Sequence, residues 1–397
     1  MSAVLRDMRQ VKFAALPPLS LYVHLPWCVR KCPYCDFNSH EQTRNAQGAS
    51  GELPEREYLQ ALTRDLEASL PSVWGRRIHS IFIGGGTPSL FSAAAIDELL
   101  AGFRARLPVE PDAEITLEAN PGTAEAERFK GYRAAGVNRL SLGVQSFDDA
   151  MLKALGRIHS ADEARRAIGM ALEIFGNVNI DLMFGLPGQT PVMARADIGE
   201  GVRHGTPHFS AYQLTIEPNT VFFSHPPGLP EHDAVADMQL MAEETLAQAG
   251  FGHYETSAFA RPGHRCRHNL NYWEFGDYLG LGAGAHGKLS FADRVTRHER
   301  AKQPREYLAG DAAAENRVIP PAELPFEFML NALRLVEGFP AELFAARCGL
   351  PLSSIESRLK AAEQKNLLER SAQRVRPTAL GRRFLNDLVE LFLPAQE

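Results

Sequence analysis

The chain has 397 residues, of which 45% are apolar and 23% charged, and its formal net charge is -6. That is the balance of a globular protein larger than one typical domain, and it supplies no basic surface for nucleic acid. No run of about 18 apolar residues occurs, and the opening MSAVLRDMRQVKFAALPPLS lacks the apolar core of a secretion signal, so neither a transmembrane segment nor export is expected.

The first predicted strand, Ser20 to Leu25, runs into LYVHLPWCVRKCPYCDF, where Cys28, Cys32 and Cys35 form CxxxCxxC. Three thiolates on so short a loop can grip one face of a [4Fe-4S] cube. The next cysteine is Cys266, which leaves one iron open to a small molecule. A structural zinc loop, with His24 and His40 flanking, is the alternative. An odd cysteine count with three in one loop suits a reducing compartment, and a cytoplasmic protein is expected. Residues 38–51 are polar and aperiodic and read as a mobile loop on the cluster side.

From residue 20 to about 250, short apolar runs alternate with amphipathic stretches, the pattern of βα units on a parallel sheet. The expected strands are Ser20 to Leu25, Ile78 to Ile83, Glu114 to Glu118, Arg139 to Val144, Asn177 to Met183 and His208 to Leu214. The expected helices are Pro54 to Leu70, Ala93 to Arg106, Thr123 to Ala135, Asp162 to Phe175, Pro191 to His204 and His232 to Ala249. Six units make an incomplete barrel, whose chemistry gathers at the C-terminal strand ends. Cys28, the turn Gly84 to Thr87, Glu118, Gln145, Asp181, Ala211 and Gln213 all fall at or near those ends. The glycines permit close backbone approach to a ligand.

Residues 251–319, rich in glycine and aromatics, read as appended strands and loops, after a barrel over 1–250. From 320 to 397 the pattern is helix, a short helix ending at Gly349, a helix after Ser353, a hairpin at SAQRVRPT and a last helix. That is a winged-helix-like unit whose second helix has a mixed charge face, not a DNA-reading one. Cys348 within it reads as a packing residue.

CxxxCxxC followed by GGGTP resembles the radical S-adenosylmethionine (radical SAM) superfamily, and Tyr34 before the third cysteine fits its pattern. The resemblance implies an incomplete (βα)6 barrel, a [4Fe-4S] cluster, SAM chelating its open iron, and radical cleavage of SAM by one electron. LYVHLPWC, IFIGGGTPSLF, ITLEANP, RLSLGVQSFDDAMLKALGRIHS, NIDLMFGLPGQT and FSAYQLTIEP are similar to the coproporphyrinogen oxidase-like branch. That branch has up to two SAM positions. The resemblance implies SAM contacts at Tyr22, Tyr34, Gly85, Gly86, Thr87, Glu118, Gln145, Arg157, Asp181 and Ala211, with Arg157 readable also as a surface cation.

Two subfamilies compete. Oxygen-independent coproporphyrinogen III oxidases read CxxxCxxCxC after a long N-terminal extension, whereas here Phe37 stands at the fourth position and 27 residues precede Cys28. The HemW-type haem chaperones have CDF and an HNxxYW motif, which this chain shows as His268, Asn269, Tyr272 and Trp273. Imidazole can ligate haem iron while aromatic rings cover the porphyrin, so His268 is the candidate ligand and Tyr272 and Trp273 the candidate cover. A structural histidine with two anchoring aromatics is the other reading. Cys266 is a further thiol near that motif, as an iron ligand or a buried small residue. The expectation is a haem chaperone delivering haem to haem-dependent, respiratory apo-proteins, with acceptors at a membrane surface and a homodimer left open. The alternative activity is oxidative decarboxylation of coproporphyrinogen III, and a cluster-sensing winged-helix regulator is a third class.

Overall fold

The structure, a computed structural model, describes residues 10–42, 53–123, 126–310 and 315–394. Strand β1 (Leu19–Leu25) is followed by a short parallel pair that brackets the cysteine loop, β2 (Trp27–Cys28) and β3 (His40–Glu41). Five more parallel strands come next: β4 (Ile78–Gly85), β5 (Val109–Ala119), β6 (Arg139–Gln145), β7 (Val178–Phe184) and β8 (His208–Gln213). Helices Glu55–Val73, Ala93–Arg106, Ala126–Ala135, Ala161–Ile174 and Pro191–Arg203 connect them, and His232–Gln248 follows β8. Local chemistry marks the helix starts. Ser160 and Glu163, for example, form a reciprocal capping box that satisfies two otherwise orphaned backbone donors.

Alternation along the strands divides the barrel into two environments. Leu21, Val23, Ile81, Ile83, Leu117, Leu140, Leu142, Ile180 and Leu182 lie on one parity and pack into the fully buried apolar layer beneath the helices. Residues of the other parity are largely polar and face the lumen, where Ser20 meets Ser80 at 2.8 Å and Asn179 meets His208 at 2.6 Å. The barrel interior is therefore a polar column, and the apolar layer outside it carries the packing energy.

The strands after residue 250 prolong both edges of the barrel sheet. β10 (Ala258–Ala260) adds antiparallel to β8 and β9 (Gly252–Glu255) antiparallel to β10, while β11 (Asp277–Leu281) adds parallel to β1. β12 (His286–Phe291), β13 (Arg294–Glu299) and β14 (Glu315–Val318) then continue as a meander. Among the described residues these make one sheet, ordered β14-β13-β12-β11-β1-β4-β5-β6-β7-β8-β10-β9. The HNxxYW segment is a correction: expected among strands and loops, it forms the helix Arg267–Trp273. Seven residues are too few for a helix to hold by propensity, so this one rests on packing against β1, β4 and β11.

The C-terminal unit has helices Leu324–Ala332, Ala341–Cys348 and Glu356–Gln364 beside a small sheet of β15 (Phe339–Pro340), β16 (Leu368–Arg370) and β17 (Arg374–Pro377). Gly349 ends its second helix at φ 66°, a left-handed conformation that glycine adopts without strain. Phe328, Phe339, Phe344 and Leu359 form its separate core, and Cys348 is buried among them. Most of the expected loop, residues 43–51, lies outside the described residues. No helix among the described residues is long and apolar enough to cross a membrane.

Candidate functional site

Cys28, Cys32 and Cys35 are free thiols at the mouth of a cavity of about 480 Å³ at the C-terminal end of the barrel. Each sulfur meets a polar group from a different segment. Thr87 Oγ1 donates to Cys28 Sγ at 3.5 Å, Arg157 donates to Cys32 Sγ at 3.6 Å, and Ser39 Oγ lies 3.7 Å from Cys35 Sγ. Burial pushes the Cys28 thiol up to about 11 and raises that of Cys35, an electrostatic cost that a bound cationic centre removes. Among the described residues no three His, Cys, Asp or Glu side chains converge as a single ion needs. Three soft thiol donors lining one cavity suit a cluster that takes one ligand on each of three irons.

Arg157 is the junction of the site. Besides Cys32 it donates to the Gly143 carbonyl at 2.8 Å and to Asn120 Oδ1, while Asn120 donates to Thr87 Oγ1 at 2.9 Å. The cysteine loop, the β4 turn, the β5 end and β6 are thus tied through one guanidinium. It is not a surface cation.

Deeper in the cavity, Glu118 Oε2 accepts from the Gly85 amide at 3.2 Å. Burial, and then the neighbouring Asp181, push the Glu118 carboxyl up to about 8. Asp181 is also raised by burial, although Asn179 and Ser141 donate to it at 2.8 and 3.2 Å. Arg139 is 2% exposed below this pair, its Nε without a partner. Gln145 takes φ 70°, rare for a residue with a side chain, and accepts from the Tyr212 hydroxyl at 2.8 Å.

A second cavity, about 550 Å³, shares Cys35, Asp36, Phe37, Gly85 and Glu118 with the first. Its walls carry Tyr22, Phe82, Tyr272 and Tyr278. Tyr22 stacks on Phe82 at 6.4 Å, and Tyr272 meets Tyr278 edge-on at 4.5 Å. Asn38 closes one side. Its amide donates to the carbonyls of Ala283 and Lys302 at 2.9 and 2.8 Å, and its own carbonyl meets His24 Nε2 at 2.9 Å.

The structure gathers most of the sequence candidates and separates others. Tyr34, Gly85, Gly86, Thr87, Glu118, Gln145, Arg157 and Asp181 line the first cavity with the three cysteines, whereas Tyr22 lines the second. Ala211 is a correction, because it shares the outer parity of Phe209 and its side chain packs in the apolar layer. His268 is another. It is 1% exposed at the barrel floor, with Nδ1 2.9 Å from Ser80 Oγ and Nε2 3.0 Å from the Tyr272 hydroxyl. Neither nitrogen is free to ligate iron in this arrangement. Trp273 lies under Arg334 at 4.4 Å, and neither it nor Asn269 lines either cavity. Cys266 is fully buried and donates to Glu114 at 3.4 Å. Asn120, Ser141 and Tyr212 line the first cavity without having been singled out. Asn120 and Ser141 had a signal, the lumen parity they share with Glu118 and Arg139.

Residues 22–197 match the family model described as Radical SAM superfamily, and residues 319–384 the one described as HemN C-terminal domain. Two curated relatives named "Heme chaperone HemW" are each 49% identical. The one from Haemophilus influenzae aligns over 95% of this chain and 98% of its own length, the one from Escherichia coli (strain K12) over 95% and 99%. Among solved structures, the coproporphyrinogen III oxidase HemN from Escherichia coli superposes with a TM-score of 0.78 at 23% identity, covering 98% of this chain and 92% of that one. That last likeness is one of fold.

Proposed function

Because this chain belongs to the heme chaperone HemW family within the radical SAM superfamily, we propose that it binds haem and hands it to haem-dependent apo-proteins in the cytoplasm. Acceptors at a membrane surface and a homodimeric carrier both belong to this reading. Cys28, Cys32 and Cys35 hold the [4Fe-4S] cluster, and the polar wall from Gly85 to Asp181 holds SAM. When bound, these groups supply an electron and the precursor of a deoxyadenosyl radical.

The chain's own residues do the rest. The β4 turn brings backbone amides to the ligand, and Gly86 leaves no space for a side chain because a Cβ there would stand 2.5 Å from the Trp27 carbonyl oxygen. Glu118 and Asp181 offer acceptors for hydroxyl and amino groups, and Arg157 braces Cys32 against the strand ends.

Phe37 carries the choice of carrier over oxidase. It is 58% exposed and borders both cavities, at the position where the oxidase pattern has a further cysteine. An apolar ring at that rim offers contact to a macrocycle and nothing to a redox step. Anaerobically reconstituted protein should bind about one haem per chain and leave coproporphyrinogen III unchanged in the presence of SAM and reductant. Catalytic formation of protoporphyrinogen IX would overturn the reading.

A further inference from the structure

We propose that the second cavity is the haem seat, with the macrocycle against Tyr272 and Tyr278, the propionates at Lys31 and Lys302, and His286 as the iron ligand. The inference rests on the haem-carrier reading and locates its cargo. It departs from the motif-based expectation, which put the iron on His268.

The aromatic wall is the first support. Four rings on three strands and a helix line a space of about 550 Å³, within the range of small-molecule sites. Tyr272 and Tyr278 stand at 89° to one another, so a conjugated ring meets the face of one and the edge of the other. The charges at the opening are the second support. Lys31 comes from the cysteine loop and Lys302 follows β13, and both border the cavity. Lys31 Nζ reaches the Phe37 carbonyl at 3.0 Å, a contact exchangeable for a carboxylate. Two ammonium groups from separate segments match the two propionates of haem.

The ligand follows from an inventory of imidazoles. Two histidines line the cavity among the described residues, His24 and His286. Both nitrogens of His24 are engaged, by the Tyr22 hydroxyl at 2.9 Å and the Asn38 carbonyl at 2.9 Å. His286 has Nδ1 3.4 Å from Glu299 Oε1, while no partner meets its Nε2 among the described residues. A carboxylate behind one nitrogen and a free second nitrogen is the arrangement that metal-ligating histidines use. His268 then serves by fixing the Tyr272 hydroxyl, so it is a positioning residue for the wall.

The test titrates the full-length protein and two variants, His286→Ala and the double change Lys31→Glu/Lys302→Glu, with haem and with iron-free protoporphyrin IX. His286→Ala should shift the Soret band and weaken haem about tenfold, leaving protoporphyrin affinity unchanged. The lysine variant should weaken both ligands by about tenfold. If the wild type binds no haem, the carrier reading itself fails. If it binds haem and both variants match it in spectrum and affinity, the seat lies elsewhere and this inference alone is overturned. Loss of a second SAM equivalent in the lysine variant, with haem binding intact, would give the cavity to SAM and also overturn it.

Discussion

His268 and Tyr272, one helical turn apart, are joined at 3.0 Å between Nε2 and the phenolic oxygen, so the motif histidine supports a wall residue from the barrel floor. Its other nitrogen continues the chain to Ser80 and from there to Ser20. Burial, and then Arg139, push the imidazole down to about 3, and the ring is neutral across the physiological range.

His268→Ala should therefore act on stability before it acts on the ligand. It leaves two buried hydroxyls short of a partner, each costing about 1–3 kcal/mol. Chemical denaturation should show a loss of about 2–6 kcal/mol, with iron and sulfide content unchanged. A variant as stable as wild type would show the floor network to be dispensable.

Changes at the cysteines should divide in two groups. Ser at Cys28, Cys32 or Cys35 should abolish iron and sulfide after anaerobic reconstitution, while Cys266→Ser and Cys348→Ser should retain both. Gly86→Ala should also lower cluster content, since its Cβ would meet the backbone of Pro26 and Trp27 within 2.8 Å and displace the strand entering the cysteine loop. Full iron retention in Cys32→Ser would sink the ligand assignment.

SAM affinity should rise with pH. Glu118 titrates at about 8 in the free protein, and a ligand that needs the carboxylate must expel its proton below that value. Each unit down from pH 8 should weaken binding by up to about tenfold. Calorimetry in buffers of different ionisation enthalpy should detect about one proton released per SAM at pH 6.5. Glu118→Gln should remove that release.

The fold should loosen in mild acid. His24, His159 and His298 are pushed down to about 4 by burial, and His268 to about 3. Below the unfolded histidine value near 6.5 the unfolded chain takes up protons that the native one refuses, so stability falls as pH falls. Glu118 and Asp197, raised to about 8 and about 6, act in the opposite sense together with the raised Asp65, Asp181, Glu255 and Glu274, but His40, His204, His208 and His253 are lowered as well, and eight histidines outnumber six acids. Denaturation midpoints should drop between pH 6.5 and 5. A flat profile there would contradict the burial of these rings.

How much of this could be read beforehand follows from the range of the signals. The six parallel strands were legible because apolar alternation is local, and Ile78–Gly85 and Arg139–Gln145 begin where the pattern begins. The cysteine loop was legible because its chemistry lies within eight residues. A motif places Ala211 at a strand end without saying which face its side chain takes; only counting parity from Phe209 does. The helix Arg267–Trp273 was missed because tertiary contacts hold it, and no seven-residue window shows them. Asn38 looked like the start of a loop, since its partners Ala283 and Lys302 lie in a distant part of the sequence.

Asn38 has a thermodynamic consequence. One amide fastens the segment just past Cys35 to the β11 to β12 connection and to Lys302, so an ordered cysteine loop and an ordered rim of the second cavity stand or fall together. Occupancy of the two cavities is then coupled, and coupling of binding free energies is reciprocal. Whatever the metal centre lends to cargo retention, cargo lends to the metal centre, and a protein stripped of iron and sulfide should hold haem less tightly.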